Sequence, residues 1–459
     1  MRSLLRAFRS AREGNVAVTF AIAVIPVIGF IGAAYDYSHA NSVKADLQAA
    51  LDSTALMLAK DAATLSKDQL QSKARIYFTA LFNHPDATIQ TVAATYTTTG
   101  GSSVTVTGAA QVQTTFLRTL DLMGLDALQD ITVSGSSTTT WGSTRLRVAL
   151  VLDNTGSMAD AGKMTALKTA THNLLTQLKN AAGTNGDVYV SIIPFSKDVN
   201  VGASNYAGNW IDWDDWEAAN GSWQNTPVCN SHASARGRSR CNSTWTWTPA
   251  SHANWNGCVT DRDQNYDQKV TAPNPADATL PTNQASTLFP AEQYAQCPVA
   301  MMGLNYDWTT MNSLVDAMQP NGNTNQPIGL VWGWQSLVGG GPLNAPVMDS
   351  SYTYQQVIIL LSDGLNTADR WYNSQTSVDN RMLQTGNGSG TCANIKAAGI
   401  SIYTIQVNTG GDPTSTLLHD CASKDQNGSP QFYMLTKSND IVTAFNTIGT
   451  NLTKLRVAK

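Results

Sequence analysis

The chain has 459 residues, a formal net charge of −4 and only 14% charged side chains, with no basic block after the first dozen residues. That balance excludes a phosphate-backbone partner, so no nucleic acid is expected, and the length suits two or three compact units. All six cysteines, Cys229, Cys241, Cys258, Cys297, Cys392 and Cys421, lie beyond residue 228, with no CxxC pair and no histidine at zinc spacing; disulfides in an oxidising compartment are expected, buried free thiols being the alternative.

Residues 1–14 form a tail carrying Arg2, Arg6, Arg9 and Arg12, and an uncharged run follows it up to Asp36. A helix over 15–35 spans a bilayer core, where Pro26, Gly29 and Gly32 are tolerated because no water competes for the backbone groups. With Asp36 and Asp46 outnumbering Lys44 after the run, the positive-inside rule predicts a cytoplasmic tail and an exported remainder. A cleaved signal peptide is the competing reading. Against it, Val43, Leu47, Leu51 and Leu58 continue one helical face beyond the apolar run, as in a helix that leaves the membrane and goes on.

Residues 36–141 read as a helical stalk with a small α+β region. Ser66 with Gln69 three residues later is a capping-box pattern, and Leu70, Ala74, Phe78 and Leu81 mark the stripe of the helix it starts. The Val- and Thr-rich stretch from Ala87 to Phe116, turning at Gly100 and Gly101, predicts a hairpin. The order is similar to that of pilin-like subunits.

"RLRVALVLDNTGSM" begins as a continuous apolar strand, suited to the centre of a parallel sheet, and ends in Asp153, Thr155 and Ser157 around Gly156. Further strands are predicted at "DVYVSIIPFS", "QVIILLSDGLNT" and "ISIYTIQVN", separated by helical stretches. This alternation predicts an α/β, doubly wound parallel sheet, which puts Asp363 at the same carboxyl edge as Asp153, the edge where such sheets bind ligands. Thr324 lies in a Gly/Asn loop before a helix containing Ile328, Trp332 and Leu337. Carboxylate and hydroxyl oxygens are hard ligands of the kind Mg²⁺ prefers.

These residues resemble a von Willebrand factor type A domain with its metal-ion-dependent adhesion site. Asp153, Thr155 and Ser157 match the D-x-S-x-S element, with Thr155 where serine is usual; Thr324 matches the second element and Asp363 the third. The resemblance implies a Rossmann-like fold, Mg²⁺ or another divalent cation, hydroxyls that bind the ion directly, acids that act partly through water, and an open position for a carboxylate from a protein partner. The domain is expected at 145–204 and 305–459, interrupted by an insertion at 205–304.

Eight of the twelve tryptophans lie between Trp210 and Trp308, with Cys229, Cys241, Cys258 and Cys297 among few aliphatics. Aromatic packing with disulfides is the expected role, a sugar- or protein-binding surface the alternative, and the four cysteines leave three pairings open. "DRDQNYDQK" places Asp261, Asp263, Asn265 and Asp267 on alternate positions but lacks the sixth-position glycine and twelfth-position acid of a calcium loop; a turn or solvated acidic loop is expected. Cys392 and Cys421 flank the strand "ISIYTIQV" and are a candidate pair beside the site. Ile441, Phe445 and Ile448 mark a last helix.

"GNVAVTFAIAVIPVIGFIGAAYDYSHA" followed by "LQAALDSTALMLAK" resembles the amino-terminal membrane segment of TadG-like proteins of the tight-adherence (Flp) pilus assembly system, in which a carboxyl-terminal type A domain is a common arrangement. Prepilin substrates carry Glu five residues after the cleavage-site Gly; counting from Gly14, that position is Thr19, so an uncleaved anchor is expected. The resemblance implies a single-pass bacterial inner-membrane protein that binds a pilus or envelope partner through its metal site. A secreted adhesin binding host or matrix at the cell surface is the alternative. A metal-dependent hydrolase is more remote, because the sequence shows no G-x-S-x-G elbow and no histidine with an evident partner.

Overall fold

The computed structural model describes residues 15–98, 101–122, 129–142, 144–230, 240–281, 283–338, 343–383 and 390–457. The arginine-bearing tail and Gly100 lie outside them. The chain divides after Ser143 into two compact units.

The first unit comprises α1 (Asn15–Ala59), α2 (Lys67–Leu81), β1 (Ala87–Thr97), β2 (Ser102–Gln113), α3 (Phe116–Leu122) and β3 (Asp130–Trp141). Helix α1 is continuous over 45 residues. Its first part leaves Phe20, Ile22, Phe30 and Ile31 exposed, and from Ile22 it is long and apolar enough to cross a membrane. Its second part buries Val43, Leu47, Leu51 and Leu58 against Phe78, Val104 and Val106. One helix thus changes environment midway, as the continuation of its apolar face predicts. Asp36 accepts hydrogen bonds from the backbone N–H groups of Thr115, Phe116 and Leu117, which satisfies a charge just past the apolar run and fixes the start of α3. Ser66 and Gln69 close the capping box reciprocally at 3.3 and 2.9 Å. The sheet is antiparallel in the order β1-β2-β3. Strand β3 is an addition to the predicted hairpin; it is mostly serine and threonine and buries Val133 alone among its twelve residues.

The second unit runs β4 (Thr144–Asp153), α4 (Lys163–Ala181), β5 (Val188–Phe195), β6 (Val199–Asn200), β7 (Ile211–Asp212), α5 (Asp214–Ala219), β8 (Gly221–Asn230), β9 (Arg240–Pro249), β10 (Cys258–Val259), β11 (Phe289–Glu292), β12 (Met302–Asn305), α6 (Trp308–Ala317), α7 (Gln326–Leu337), β13 (Thr353–Ser362), α8 (Gln375–Leu383), α9 (Thr391–Ala397), β14 (Ser401–Val407), α10 (Thr416–Cys421), β15 (Phe432–Leu435) and α11 (Asp440–Val457). Strands β15-β14-β13-β4-β5 are mutually parallel, with β15 at one edge. The short β6, β10, β11 and β7 extend the sheet beyond β5, so residues of the 205–304 segment form one edge of it. Both faces are covered, as apolar parallel strands require. Leu146, Leu150, Leu167, Leu174 and Phe445 form the core on one face; Val151, Ile358, Trp332 and Ile402 form it on the other. Helix α7 lies close on the sheet at Gly333, where a Cβ would fall 2.5 Å from Val151 Cγ2.

Candidate metal centre

Strands β4 and β13 are neighbours in register, with Leu152 opposite Leu361. Their last turns therefore deliver Asp153 and Asp363 to the same carboxyl edge. Ser362 Oγ donates to Asp153 Oδ2 at 2.6 Å, and the Thr155 N–H donates to Asp153 Oδ1 at 2.9 Å. Asp153 has no solvent exposure. Burial first, and then the charge of Asp363, push its carboxyl up to about 7.

Thr155 Oγ1 and Ser157 Oγ lie 3.1 Å apart, and Ser157 Oγ donates to Asp363 Oδ1 at 2.7 Å. Two carboxylates and two hydroxyls are thus joined in one chain of contacts. Asp153, Thr155 and Asp363 are buried and Ser157 is exposed, so the serine is the member that faces solvent.

Thr324 reaches this edge through its loop. The Gly156 N–H donates to Gly322 O at 3.0 Å, joining the first loop to the second. The Thr324 N–H donates to Thr367 Oγ1 at 2.8 Å, and the Thr367 N–H donates back to Thr324 O at 2.9 Å, joining the second loop to the third. Gly322 holds φ +87°, and a Cβ there would meet the Tyr294 hydroxyl at 2.7 Å, so both backbone and space require glycine. Asn325 caps α7 by accepting from the Ile328 N–H.

Lys163 is the residue that sequence reasoning passed over. Its Nζ donates to Asp363 Oδ2 at 2.6 Å and to Ser157 O at 3.1 Å, with only 10% of its side chain exposed. The turn that places it runs through Ala161 and Gly162, both left-handed at φ 51° and 69°; Ser438 Oγ donates to Ala161 O and holds the turn. A non-glycine residue at positive φ is uncommon and marks a geometry that the surroundings impose. In "DNTGSMADAGKM" the glycine before the lysine was the available signal. Ser362, the other missed residue, immediately precedes Asp363 and reaches across to the neighbouring strand.

Among the described residues no group of three or more His, Cys, Asp or Glu side chains converges as a metal ligand set. The candidate donors here are two carboxylates with hydroxyls, a set that fits a hard divalent cation keeping part of its water. Lys163 already pairs with Asp363, and the charge of Asp363 still adds to the rise of Asp153, a repulsion that a further cation would relieve.

The 205–304 segment braces this site from the side. The stretch makes the expected turn, the Tyr266 N–H donating to Asp263 O at 2.7 Å, but two of its acids are not solvated: Asp261 and Asp267 are 5% and 6% exposed. Asp267 pairs with Arg381, Nη2 to Oδ1 at 2.5 Å, and Asp263 with Arg370 at 2.9 Å; Asp261 Oδ2 accepts from Asn325 Nδ2 at 2.8 Å. The alternating acids serve arginines of the third loop and α8, partners too distant in sequence to be read from spacing. Burial pushes Asp261 up to about 7, with Asp369 and Asp267 adding to the rise. Asp198, fully buried nearby, is raised well above the carboxylate range by burial and then by Glu292.

Cys392 is bonded to Cys421 and Cys258 to Cys297. The register of β8 and β9 places Cys229 opposite Cys241.

Residues 14–60 match the family model described as putative Flp pilus-assembly TadE/G-like. No curated protein matches the chain in sequence. Among solved structures, the chain is similar to the pilus adhesin SpaC from Lactobacillus rhamnosus GG, at 15% identity over 81% of this chain and 35% of that one, with a TM-score of 0.32. It thus spans about a third of the SpaC chain. It is similar to the vWF domain of the type V pili tip protein Mfa5 from Porphyromonas gingivalis, at 10% identity over 67% and 95% of the two chains, with a TM-score of 0.32. A third similar structure is proximal thread matrix protein 1 from the mussel byssus, with a zinc-occupied MIDAS motif, at 12% identity over 66% and 47%, with a TM-score of 0.30.

Proposed function

We propose that the chain is a membrane-anchored envelope protein of tight-adherence pilus assembly, whose α/β domain captures a protein partner through a divalent cation. The observation that carries this reading is the joining of Asp153, Thr155, Ser157 and Asp363 at the carboxyl edge of the parallel sheet, with the Thr324 loop tied to both. The match over residues 14–60 supports the pilus assignment. The exposed apolar part of α1 supports the anchor, with the amino terminus cytoplasmic and the bulk of the chain outside the inner membrane.

Asp153, Thr155, Ser157, Thr324 and Asp363 would hold the ion, Mg²⁺ being the expected one. When bound, it supplies a positive centre for a partner's carboxylate. The chain's own groups do the rest. Ser362 and the Thr155 N–H orient Asp153, Ser157 presents its hydroxyl at the surface, and burial of the acids keeps the surroundings poor in water, which strengthens an ionic contact. The site is a binding module rather than an enzyme.

The test is calorimetric titration of Mg²⁺ into the full chain in lipid nanodiscs, beside Asp153→Ala and Ser157→Ala variants checked for folding. Binding by the parent and its loss in both folded variants is the expected result; a folded parent that takes up no divalent ion removes the proposal. A reporter fused after residue 60 tests the orientation by its activity on the periplasmic side.

A further inference from the structure

Helix α3 is seated on one turn of α1. Gly32 is buried there, and a Cβ added to it would fall 2.5 Å from Phe116 Cβ, so the glycine makes room for that side chain. The Tyr35 ring meets the Phe116 ring edge-on at 5.4 Å. Asp36, 3% exposed, accepts from the Thr115, Phe116 and Leu117 N–H groups at 2.8 to 2.9 Å. Charge-assisted bonds are among the stronger ones, so the start of α3 is pinned to this turn.

The depth of that turn follows from the apolar run. The uncharged stretch begins at Gly14, directly after Glu13. At about 1.5 Å per residue, a hydrocarbon core of about 30 Å takes up some 20 residues, which brings its outer edge to the neighbourhood of Ala33. The headgroup layer adds roughly 5–7 Å on that side, which carries it to about Tyr37. Phe20, Val27, Phe30 and Ile31 are exposed within the first span. Tyr35 and Tyr37 fall in the second, and the seat on Gly32 brings Phe116 beside them; the three are 55%, 65% and 41% exposed.

Lipid is the occupant that fits. The aromatic patch continues the exposed apolar surface of α1 without a break, and it lies where tyrosine is favoured, the ring against acyl chains and the hydroxyl in the hydrated layer. A carboxylate at this depth would be costly if left bare; the donors of Asp36 come from the protein itself, so its charge needs no water. An apolar run alone lets a helix tilt or slide at little cost, and a second element fixed to the helix at the interface prevents that.

We propose that α3 is an interfacial stop: with Phe116, Tyr35 and Tyr37 in the headgroup layer of the bilayer that α1 crosses, it sets the depth of α1 and holds the first unit against the membrane surface. This rests on the reading of α1 as the membrane anchor.

The test places the full chain in phospholipid nanodiscs with one nitroxide at a time, on Val27→Cys, Ser38→Cys, Arg118→Cys or Leu56→Cys. Power-saturation spectroscopy then compares each label's exposure to oxygen, which concentrates in lipid, and to a water-soluble nickel chelate. The parent treated with the same reagent is the blank. Leu56, 68% exposed, stands some 30 Å along α1 from Asp36 and serves as the water reference. Oxygen-dominated exposure at 27, intermediate values at 38 and 118, and nickel-dominated exposure at 56 support the proposal. In Phe116→Ser/Tyr37→Ser the label at 118 should rise to the nickel exposure found at 56 while that at 27 stays in lipid. The Asp36 contacts are to backbone groups and survive these substitutions, and unchanged far-ultraviolet dichroism checks the fold. A label at 118 that is water-like in the parent while 27 is in lipid overturns the proposal and leaves the anchor standing. So does a label at 118 shielded from both reagents, which means protein cover, or one that keeps its depth in the double variant. A water-like label at 27 removes the anchor and the stop together.

Discussion

Replacing Lys163 with methionine tests the electrostatics of the site directly. The lysine ammonium lies 2.6 Å from Asp363 Oδ2, with 10% of the lysine side chain and none of the Asp363 side chain exposed. Methionine keeps much of the aliphatic stem and removes the charge. Asp363 is then left with the Ser157 hydroxyl and with Asp153 as an unscreened like charge. Removing one partner of a buried ion pair costs about 3–5 kcal/mol because the other charge is left buried and unpaired. In chelator-treated protein the variant should therefore unfold some 6–10 °C below the parent, at about 2 °C per kcal/mol for a unit of this size. Added Mg²⁺ narrows that difference, since a ten-fold gain in affinity is about 1.4 kcal/mol at saturation. In the parent, the ammonium and the ion compete for the negative charge of Asp363, so calorimetry should show the variant binding Mg²⁺ about ten-fold more tightly and gaining more in its thermal midpoint. Equal midpoints of parent and variant under chelator, or loss of Mg²⁺ binding in a folded variant, would refute the reasoning.

Three further outcomes are expected. Asp261, pushed up to about 7 chiefly by burial, holds its proton in the native state to near neutrality, so its contribution to stability is complete below pH 4 and is lost as pH rises from about 4 through 7; the loss is up to about 4 kcal/mol. Asp261→Asn, with the amide oxygen facing Asn325 and Arg370, should flatten that slope in urea unfolding at pH 4.5 and 7.5, and an unchanged slope would assign it elsewhere. Gly333→Ala should destabilise by about 1–3 kcal/mol through overpacking against Val151, where an exposed helical glycine would gain up to about 1 kcal/mol from alanine; a raised denaturation midpoint would show that α7 can withdraw from the sheet. Opening the Cys392–Cys421 bond, which spans 29 residues, with a Cys392→Ser/Cys421→Ser pair should cost about 3–4 kcal/mol, and an unchanged midpoint would mean that the unfolded chain is already constrained there.

The parts legible in the sequence are those whose signal is local. "VALVLD" and "VIILLSD" are apolar runs stopped by an acid, and that pattern alone sets Asp153 and Asp363 at the end of buried parallel strands. The face of α1 past the apolar run was equally readable, because Val43, Leu47 and Leu51 repeat every four residues. Lys163 was not, since its role depends on a left-handed turn at Ala161 and Gly162 that folds the start of α4 back toward Asp363. Strand β3 was obscured by its Ser, Thr and Gly content, which reads equally well as a loop. The acids of "DRDQNYDQK" misled for a related reason: an alternating acid pattern suggests solvent or calcium until Arg370 and Arg381, more than a hundred residues away, are brought beside it.

Those arginines bear on how the site is held. Asp363 directly follows β13, and the third loop that it begins carries Thr367 against Thr324 and then Arg370, which pairs with Asp263 and Asp215. Arg381 on α8 closes the same loop onto Asp267, and Asp261 reaches Asn325, one residue after Thr324. The 205–304 segment therefore grips both loops that face Asp153, and one of its contacts, Arg381 to Asp267, is a buried ion pair whose separation would be costly. A tip assembled from loops is ordinarily the most mobile part of a parallel sheet, whereas a cation bound by hydroxyls from separate loops needs them preorganised. The 205–304 segment, whose β7, β10 and β11 form one edge of the sheet, supplies that stiffness. Burial first, with Asp369 and Asp267 adding to it, raises Asp261, so the contact it makes to Asn325 loses stability as pH rises and the acid ionises.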